Sequence, residues 1–430
     1  MEKSTITVKS KPLSLPLLVL YTHTGSIPFL SWNFVRKYNG ILFRSEQDMV
    51  DEINMVKLNV ADFYDYLESN DHDHHLSKLK YFENCSFLMS LFDPLQFCYL
   101  YKSTDDQIAI HTYHGKKMLS VDDMLKLCRS IGVEHVQAIA DIITPPNAGR
   151  KWLNKSVNRS SKFLDDTINQ YISDDDNSSG QSIKIWATLT GGYQSESRVR
   201  ACQQISVHAD KLQAIIIDGF FGYIKTDEEN FKYYHDILCR DVLQNLPANI
   251  PKALFGILYP DTMIKLIKCG IDIFDSSICT FLTNRGRALP SPLICENTMK
   301  LLFDRSITTT TTTIDSDIII NNPNPSIIID LNNFTFKDNN LLLSNKCQCY
   351  TCQMGFTRGY INHLLKRKEI NANILLQIHN HYVLTKFFHQ LKRIIQTGNF
   401  DQLLANSHIN VDDNTTQCYK SQPPSMNGIN

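Results

Sequence analysis

Short apolar strands alternate with helices between residues 184 and 287, and this alternation limits the possible folds more than any other feature of the sequence. Apolar and β-branched runs predict strands at 184–189, 214–218, 252–258 and 271–274. The segments between them have the apolar spacing of helices, at 195–208, 228–246 and 260–268. Pro260 begins the last helix, where proline is tolerated, and Gly270 follows its end. Repeated strand–helix units of this kind form parallel sheets.

The alternation extends upstream in a weaker form. Residues 17–21 and 135–140 have strand character, and 121–131 form an amphipathic helical pattern with Ser120 as its N-cap. So many units in a chain of 430 residues favour a closed (β/α)8 barrel over an open sheet. We therefore predict an α/β protein with the TIM-barrel fold.

Charge and hydropathy exclude several classes of protein. The chain has 43 Lys and Arg against 44 Asp and Glu, whereas a protein that wraps nucleic acid with its whole surface is strongly basic. Pro12 and Pro16 interrupt the apolar run near the N-terminus, so we expect no secretory signal, and the apolar stretches are shorter than the ~20 residues that span a bilayer. We expect a soluble, cytoplasmic protein, in which clustered cysteines bind metal more often than they form disulfides.

Three cysteines stand within six residues, at Cys347, Cys349 and Cys352. Thiolates this close in sequence can bind one metal ion, and tetrahedral zinc takes four nitrogen or sulfur ligands. The sequence therefore predicts a structural zinc site whose fourth ligand is a histidine. The candidates lie on two predicted helices, 357–366 and 373–390, and are His363, His379 and His381, with His389 less favoured.

Acidic residues follow three of the predicted strands. Asp141, Asp218 and Asp275 stand where the active site of a parallel barrel is built, although aspartate in this position also caps turns and helices. The sequence contains no phosphate-binding glycine loop and no nucleophile elbow of serine hydrolases, so nucleotide hydrolysis and serine hydrolase chemistry lack support.

Basic residues cluster late in the chain. Arg285 and Arg287 follow Asp275, and Lys366, Arg367 and Lys368 follow the cysteines. These five are candidates for contacts with nucleic-acid phosphates, although the second group also suits a solvated helix end.

The cysteine cluster and the segments after it resemble the zinc subdomain of tRNA-guanine transglycosylases. The similar segments are Cys347-x-Cys349-x-x-Cys352, then residues 357–365, then the His379-Asn380 pair; upstream similarities occur at 25–28, 155–165, 218–222 and 270–276. The resemblance covers residues 15–390. It implies a zinc-bearing (β/α)8 barrel that exchanges a guanine base in tRNA, one zinc ion per chain, and His379 as the fourth ligand.

Departures from the family pattern indicate a non-catalytic branch. The proton-transfer segment Ser-Asp-Ser-Gly-Gly-Phe-Gln has no counterpart at residues 91–102, and the guanine-recognition loop is replaced at 218–223. Asp275 occupies the position of the nucleophile, but the residues after it differ from the catalytic pattern. The resemblance implies a heterodimer with a catalytic queuine tRNA-ribosyltransferase subunit that replaces guanine by queuine at the wobble position of tRNAs for Asp, Asn, His and Tyr. It also implies peripheral association with the mitochondrial outer membrane.

Two other functions remain open at this stage. One is an active transglycosylase that uses Asp275 as its nucleophile, and the other is a zinc-dependent RNA-binding module without an enzymatic partner. In the heterodimer, we expect the helical segment 357–390 to contact the partner, because its apolar positions exceed what packing on the barrel requires. These positions are Ile374, Leu375, Ile378, Tyr382, Phe387 and Phe388.

Five segments follow from these observations. We predict an N-terminal extension at 1–12, the main part of the barrel at 13–305, a low-complexity insertion at 306–340, a zinc-binding helical subdomain with the end of the barrel at 341–400, and a disordered tail at 401–430.

Overall fold

Eight parallel strands close into a barrel in the computed structural model, which describes residues 15–31, 55–67, 79, 85–96, 102–142, 148–175, 183–218, 235–294, 328–400 and 403. Going around the barrel, the strands are β1 (Leu17–Tyr21), β2 (Met55–Asn59), β3 (Ser86–Ser90), β6 (His135–Gln137), β7 (Lys184–Leu189), β8 (Leu212–Ile217), β9 (Lys252–Leu254) and β10 (Ile273–Asp275), which pairs with β1. The predicted (β/α)8 TIM barrel is therefore confirmed.

The barrel interior follows from the two-residue period of its strands. Alternate side chains point inward and form a separate apolar cluster, while the other side chains pack against the surrounding helices. The interior cluster consists of Leu17, Val19, Met55, Leu88, Trp186, Ala214, Ile216, Ala253 and Ile273. The polar group of Trp186 in this cluster, its indole N–H, donates a hydrogen bond to His135 Nδ1 over 2.9 Å.

The helices around the barrel differ in how their ends are capped. They are α1 (Val60–Phe63), α2 (Val121–Ile131), α3 (Arg150–Asp175), α4 (Ser195–Ser206), α5 (Pro260–Cys269) and α6 (Ser277–Thr283). Ser120 and Asp123 form a capping box at the start of α2. Helix α5 begins at Pro260 and ends at Gly270, whose φ of 102° lies in the left-handed region that favours glycine.

Two small sheets and three further helices complete the described structure. A hairpin, β4 (Ile108–Thr112) with β5 (Gly115–Leu119), stands between barrel strands β3 and β6, and β11 (Arg287–Ala288) pairs with β12 (Ile329–Asp330). The subdomain after them contains α7 (Tyr350–Gln353), α8 (Arg358–Lys366) and α9 (Ile370–Gln396). Helix α9 packs on the barrel, where the rings of Phe388 and Phe274 lie 5.9 Å apart.

The packing of α9 shows that one prediction from the sequence is wrong. Five of the six apolar side chains expected to contact a partner are buried in the chain's own core, namely Leu375, Ile378, Tyr382, Phe387 and Phe388, and Ile374 is partly buried. They are buried because α9 covers the barrel as well as carrying the subdomain. These residues are therefore not available to a second protein.

Other differences concern the ends of elements. The helix predicted at 228–246 is described from residue 235, where an α-helical turn leads into a π-helix (Ile237–Val242) and a 3-10 turn (Leu243–Asn245). The extension 1–12 and the tail apart from Leu403 lie outside the described residues, as does the insertion up to residue 327. Residues 328–340, predicted as insertion, contain β12 and the 3-10 turn Phe334–Phe336. Among the described helices, none is both long and apolar enough to cross a membrane.

Candidate functional site

Four predicted metal ligands converge where the subdomain meets α9. Cys349 is the N-cap of α7, Cys352 lies within that helix, and Cys347 precedes it in the loop. The Nδ1 atom of His379, on α9, lies 3.6 Å from the Cys347 sulfur, 3.4 Å from that of Cys349 and 3.5 Å from that of Cys352. All four side chains are buried.

The spacing of these atoms fits a tetrahedral metal ion. Zinc bound to sulfur at ~2.3 Å and to nitrogen at ~2.05 Å with tetrahedral angles separates the two ligand atoms by about 3.6 Å. The other ring nitrogen of His379 donates to the Leu289 carbonyl over 2.8 Å, so in the neutral imidazole Nδ1 is the nitrogen whose lone pair can bind a metal ion. The pKa of the Cys347 thiol is strongly lowered, because the thiols of Cys349 and Cys352 donate to its sulfur. The cluster is therefore suited to a closed Cys3His metal site.

The other candidate histidines do not take part in this cluster. His363 is exposed on α8. His381 accepts a hydrogen bond from the Gln377 amide over 3.1 Å, and burial lowers its pKa to about 4. His389 is buried on α9 without being one of the four grouped ligands. Of the alternatives left open by the sequence, the structure brings His379 to the cysteines.

The carboxylate of Asp275, at the end of β10, forms an ion pair with a lysine inside the barrel. Lys57, on β2, places its Nζ 2.6 Å from Asp275 Oδ2, and both side chains are almost fully buried, at 2% and 0% exposure. The Lys57 ammonium also lies 4.8 Å from the centroid of the Phe255 ring. Sequence analysis missed Lys57, because a single lysine in an apolar run is normally expected to face solvent.

The second oxygen of Asp275 is occupied as well. Its Oδ1 accepts hydrogen bonds from the Ser277 hydroxyl over 2.7 Å, the Ser277 amide over 3.2 Å and the Gly256 amide over 3.4 Å. A buried carboxylate with a counter-ion and three donors is a weaker nucleophile than a free one, because these contacts stabilise its negative charge. The geometry makes Asp275 a connector between strands β2, β9 and β10.

A second group of acids lies at the same end of the barrel. The Tyr21 hydroxyl donates to both oxygens of Asp93 over 2.9 and 3.0 Å, and the Leu95 amide donates to Oδ1 over 2.9 Å. His23 Nδ1 lies 3.6 Å from carboxylate oxygens of both Asp93 and Asp62. Asp93 raises the pKa of His23, against the opposing effect of burial. Burial opposes ionisation of Asp93, but its contacts with His23 and Leu95 outweigh burial and lower the pKa of this carboxyl.

The other acids predicted at strand ends have structural partners. Asp141 accepts from the Arg159 guanidinium over 2.9 Å, and its backbone is held by Ser156 and Ser160. Asp218 is the last described residue after β8, and its amide donates to the Leu189 carbonyl over 3.1 Å. The segment 219–223 and residues 97–101 lie outside the described residues.

Three of the five basic candidates line one groove. Arg285, Arg287 and Lys368 surround a cavity of about 570 Å³ together with Asp330 and Glu369. Arg287 Nε donates to Asp330 over 3.0 Å, and the Arg285 guanidinium lies 3.6 Å from the centroid of the Phe281 ring. The groove is therefore positively charged at its arginines and partly balanced by two acids.

The remaining two basic candidates lie at the end of α8, outside that groove. The Lys366 ammonium lies 4.8 Å from the centroid of the exposed Phe334 ring, and Arg367 is exposed as the C-cap residue of the helix. The sequence thus grouped residues that the structure separates into a groove and a helix end.

Comparisons with known proteins agree on one family. The family model for queuine tRNA-ribosyltransferase matches residues 4–410. The queuine tRNA-ribosyltransferase accessory subunit 2 of Gallus gallus is 26% identical over 401 residues, which cover 91% of this chain and 89% of the relative. The protein of the same name from Homo sapiens is 24% identical over 406 residues, covering 91% of each chain. That from Drosophila grimshawi is 24% identical over 420 residues, covering 96% of this chain and 90% of the relative.

Proposed function

This chain belongs to the queuine tRNA-ribosyltransferase family, and from that membership we propose that it is the non-catalytic accessory subunit of a heterodimeric enzyme. Its partner is a catalytic queuine tRNA-ribosyltransferase subunit. The complex exchanges guanine for queuine at the wobble position of tRNAs for Asp, Asn, His and Tyr. The catalytic subunit performs the chemistry, and this chain completes the dimer and helps to hold the tRNA.

The buried ion pair between Lys57 and Asp275 is the observation that carries the non-catalytic role. Base exchange through a covalent intermediate needs a free nucleophile, a group that transfers a proton, and a pocket that orients the purine. The carboxylate in the nucleophile position is neutralised by Lys57 and hydrogen-bonded by Ser277 and Gly256. Freeing it would require breaking a buried ion pair, which costs about 3–5 kcal/mol when one partner is lost.

One specific observation favours the alternative of an active transglycosylase. Asp93 lies at the same barrel mouth, where it accepts a hydrogen bond from Tyr21 and contacts the half-exposed His23. A carboxylate and an imidazole in contact are suitable for proton transfer. Under this alternative, Asp275 leaves Lys57 on substrate binding and attacks the ribose.

A base-exchange assay separates the two functions. We expect no incorporation of labelled guanine or queuine into tRNA by this chain alone, and full incorporation when the catalytic subunit is added. The double variant Lys57→Met/Asp275→Asn removes both charges and the nucleophile, and it should leave turnover of the heterodimer unchanged. Loss of turnover by an intact heterodimer carrying this variant, or incorporation by the lone chain, would establish the alternative.

We propose that the ion held by the Cys3His cluster is zinc. The cluster combines three cysteines with one histidine, which is a ligand set typical of structural zinc. Bound zinc would supply a cross-link and no reactive position, since all four ligands come from the protein. Cys347, Cys349 and Cys352 would thereby be fixed to α9, the helix that also covers the barrel.

The tRNA contacts that we propose lie in the groove of Arg285, Arg287 and Lys368. Arginines beside a wide cavity suit phosphate groups, which accept two parallel hydrogen bonds from one guanidinium. Lys366 and Arg367 extend the positive charge along the end of α8.

The surface that we propose for the partner is an exposed apolar patch on the subdomain. We define the subdomain patch as Met354, Phe356 and Tyr360; the rings of the last two stack at 5.7 Å, and Met354 and Tyr360 are 61% and 44% exposed. Exposed apolar side chains that lie together mark protein interfaces more often than single ones do.

The patch is tested by charge substitution. Met354→Asp and Tyr360→Asp should prevent co-purification with the catalytic subunit while leaving the monomer folded. Val207→Asp is the matched control, since Val207 is 74% exposed after α4, on a different element. A heterodimer that tolerates both patch variants as well as the control would place the interface elsewhere.

For localisation, we propose a cytoplasmic protein with peripheral association at the mitochondrial outer membrane. Fractionation of cells with and without the catalytic subunit tests whether the association depends on the heterodimer.

A further inference from the structure

A second cluster of metal-ligating side chains lies on the outside of the barrel. His235 and Cys239 belong to the helical segment before β9, and Cys269 is the last residue of α5. One ligand atom from each residue lies within 4.8 Å of the others. The three residues are separate in sequence and in the fold from the Cys3His cluster, and the proposed function gives them no role.

We propose that His235, Cys239 and Cys269 form a second metal site that binds a thiophilic divalent ion, Zn²⁺, with a water molecule in the fourth position. Thiolate and imidazole are the ligands that zinc prefers, and three protein ligands with one open position are a known arrangement for this ion. His235 and Cys239 are half-buried, so solvent reaches the position that water would occupy.

The distances around the imidazole support a common binding centre. The Nε2 atom of His235 lies 3.0 Å from the Cys269 sulfur and 3.7 Å from the Cys239 sulfur. These values bracket the separation of about 3.6 Å between nitrogen and sulfur ligands of a tetrahedral zinc ion. A disulfide would use the two sulfurs alone and would leave the position of the imidazole between them without a role.

The local backbone explains how the ligands meet. His235 and Cys239 are four residues apart, so they share one face of a helix. The turn that carries Cys239 is the π-helix Ile237–Val242, a rare conformation that is frequent at functional sites. Cys269 approaches from α5, which ends immediately after it at Gly270.

Binding at this site would displace protons. A cysteine binds metal as the thiolate and a histidine binds it as the neutral imidazole. Each Cys239 or Cys269 thiol that coordinates Zn²⁺ therefore gives up its proton to solvent as its sulfur–metal bond forms, and a water molecule completes the fourth position. No electron transfer accompanies this step.

Metal analysis of the full chain tests the proposal. After incubation with excess Zn²⁺ under reducing conditions and removal of free metal, we expect two zinc ions per chain. Cys239→Ser should bind one ion and Cys349→Ser should bind one ion, so the two sites are counted independently. Cys85→Ser is the matched control, because Cys85 is a half-buried cysteine outside both clusters and should leave two ions bound.

A second measurement distinguishes the loss of a metal ligand from misfolding of the variant. Co²⁺ is added to chains whose Cys3His site is intact and already filled by zinc, and its binding at the second site should produce thiolate charge-transfer absorption. His235→Gln should weaken Co²⁺ binding at this site at least about 100-fold, which is more than the loss of an outer-shell contact causes. One zinc per chain in the wild type, equal metal content in wild type and Cys239→Ser, or a Cys239–Cys269 disulfide that forms in the presence of zinc would overturn the proposal.

Discussion

Removing the Lys57 ammonium should destabilise the barrel far more than the loss of a surface charge. In Lys57→Met the Asp275 carboxylate keeps its hydrogen bonds from Ser277 and Gly256, but it remains fully buried without a counter-ion. Breaking a buried ion pair by removing one partner costs about 3–5 kcal/mol. Met is chosen because it fills the volume of the lysine stem and changes little besides the charge.

The reciprocal change separates the charge effect from packing. Asp275→Asn retains an oxygen for the donors at Oδ1 and leaves the Lys57 ammonium buried, so we again expect a cost of about 3–5 kcal/mol. The double variant removes both charges and leaves one amide N–H group without a partner, which costs about 1–3 kcal/mol. The two single costs add to about 6–10 kcal/mol, so the coupling energy should be at least about 3 kcal/mol.

The assay is a double-mutant cycle measured by urea unfolding of the four proteins. Tryptophan fluorescence reports on the barrel through Trp186, which belongs to the interior cluster and is one of three tryptophans in the chain. The exposed pair Lys126–Asp122, with both side chains more than half exposed, is the control and should show coupling below about 1 kcal/mol. A double variant as unstable as the sum of its singles, within about 0.5 kcal/mol, would refute an energetically coupled ion pair.

Three further outcomes follow from the described contacts. His379→Gln should abolish zinc binding at the Cys3His cluster, whereas His363→Gln on exposed α8 should retain it; metal analysis distinguishes the two. The neighbouring Asp93 carboxylate raises the pKa of His23 above 6.5. The stability that the imidazolium contributes is therefore complete below pH 6.5 and is lost as the pH rises through the raised pKa. His23→Gln should remove this pH dependence from the free energy of unfolding measured in urea. Arg287→Ala should weaken tRNA binding by the heterodimer and reduce the slope of log affinity against log salt by about 1, while Lys126→Ala should change neither.

The parts of the fold that the sequence predicts well are those in which local and tertiary preferences agree. Strands β1 and β7 were predicted with their observed ends, because both are buried apolar runs. Helix α2 was predicted with its observed ends and its N-cap, since Ser120 and Asp123 mark its start. The cysteine spacing likewise limits the possible geometry of the metal site.

The parts that sequence analysis missed depend on contacts between distant residues. Strand β2 was not predicted, because Lys57 and Asn59 point into the barrel and interrupt its apolar pattern. The partner of Lys57 is 218 residues away, so no local signal indicates that its charge is neutralised. The same limit applies to the cluster of His235, Cys239 and Cys269, whose members come from two helical elements. Burial of the apolar side chains of α9 follows from the closure of the barrel, which periodicity alone does not reveal.

The ion pair also explains how Asp275, which the family resemblance puts in the nucleophile position, can serve the structure. Asp275 Oδ1 receives the Ser277 amide at the start of α6 and the Gly256 amide after β9, while Oδ2 receives Lys57 from β2. Helix α6 in turn contacts α9, where the Gln377 amide donates to the Thr280 hydroxyl over 2.8 Å. A single carboxylate therefore connects the barrel mouth to the helix that carries His379. Its charge stabilises this connection because Lys57 neutralises it. Under the proposed non-catalytic role, the same ion pair keeps the carboxylate from acting as a nucleophile.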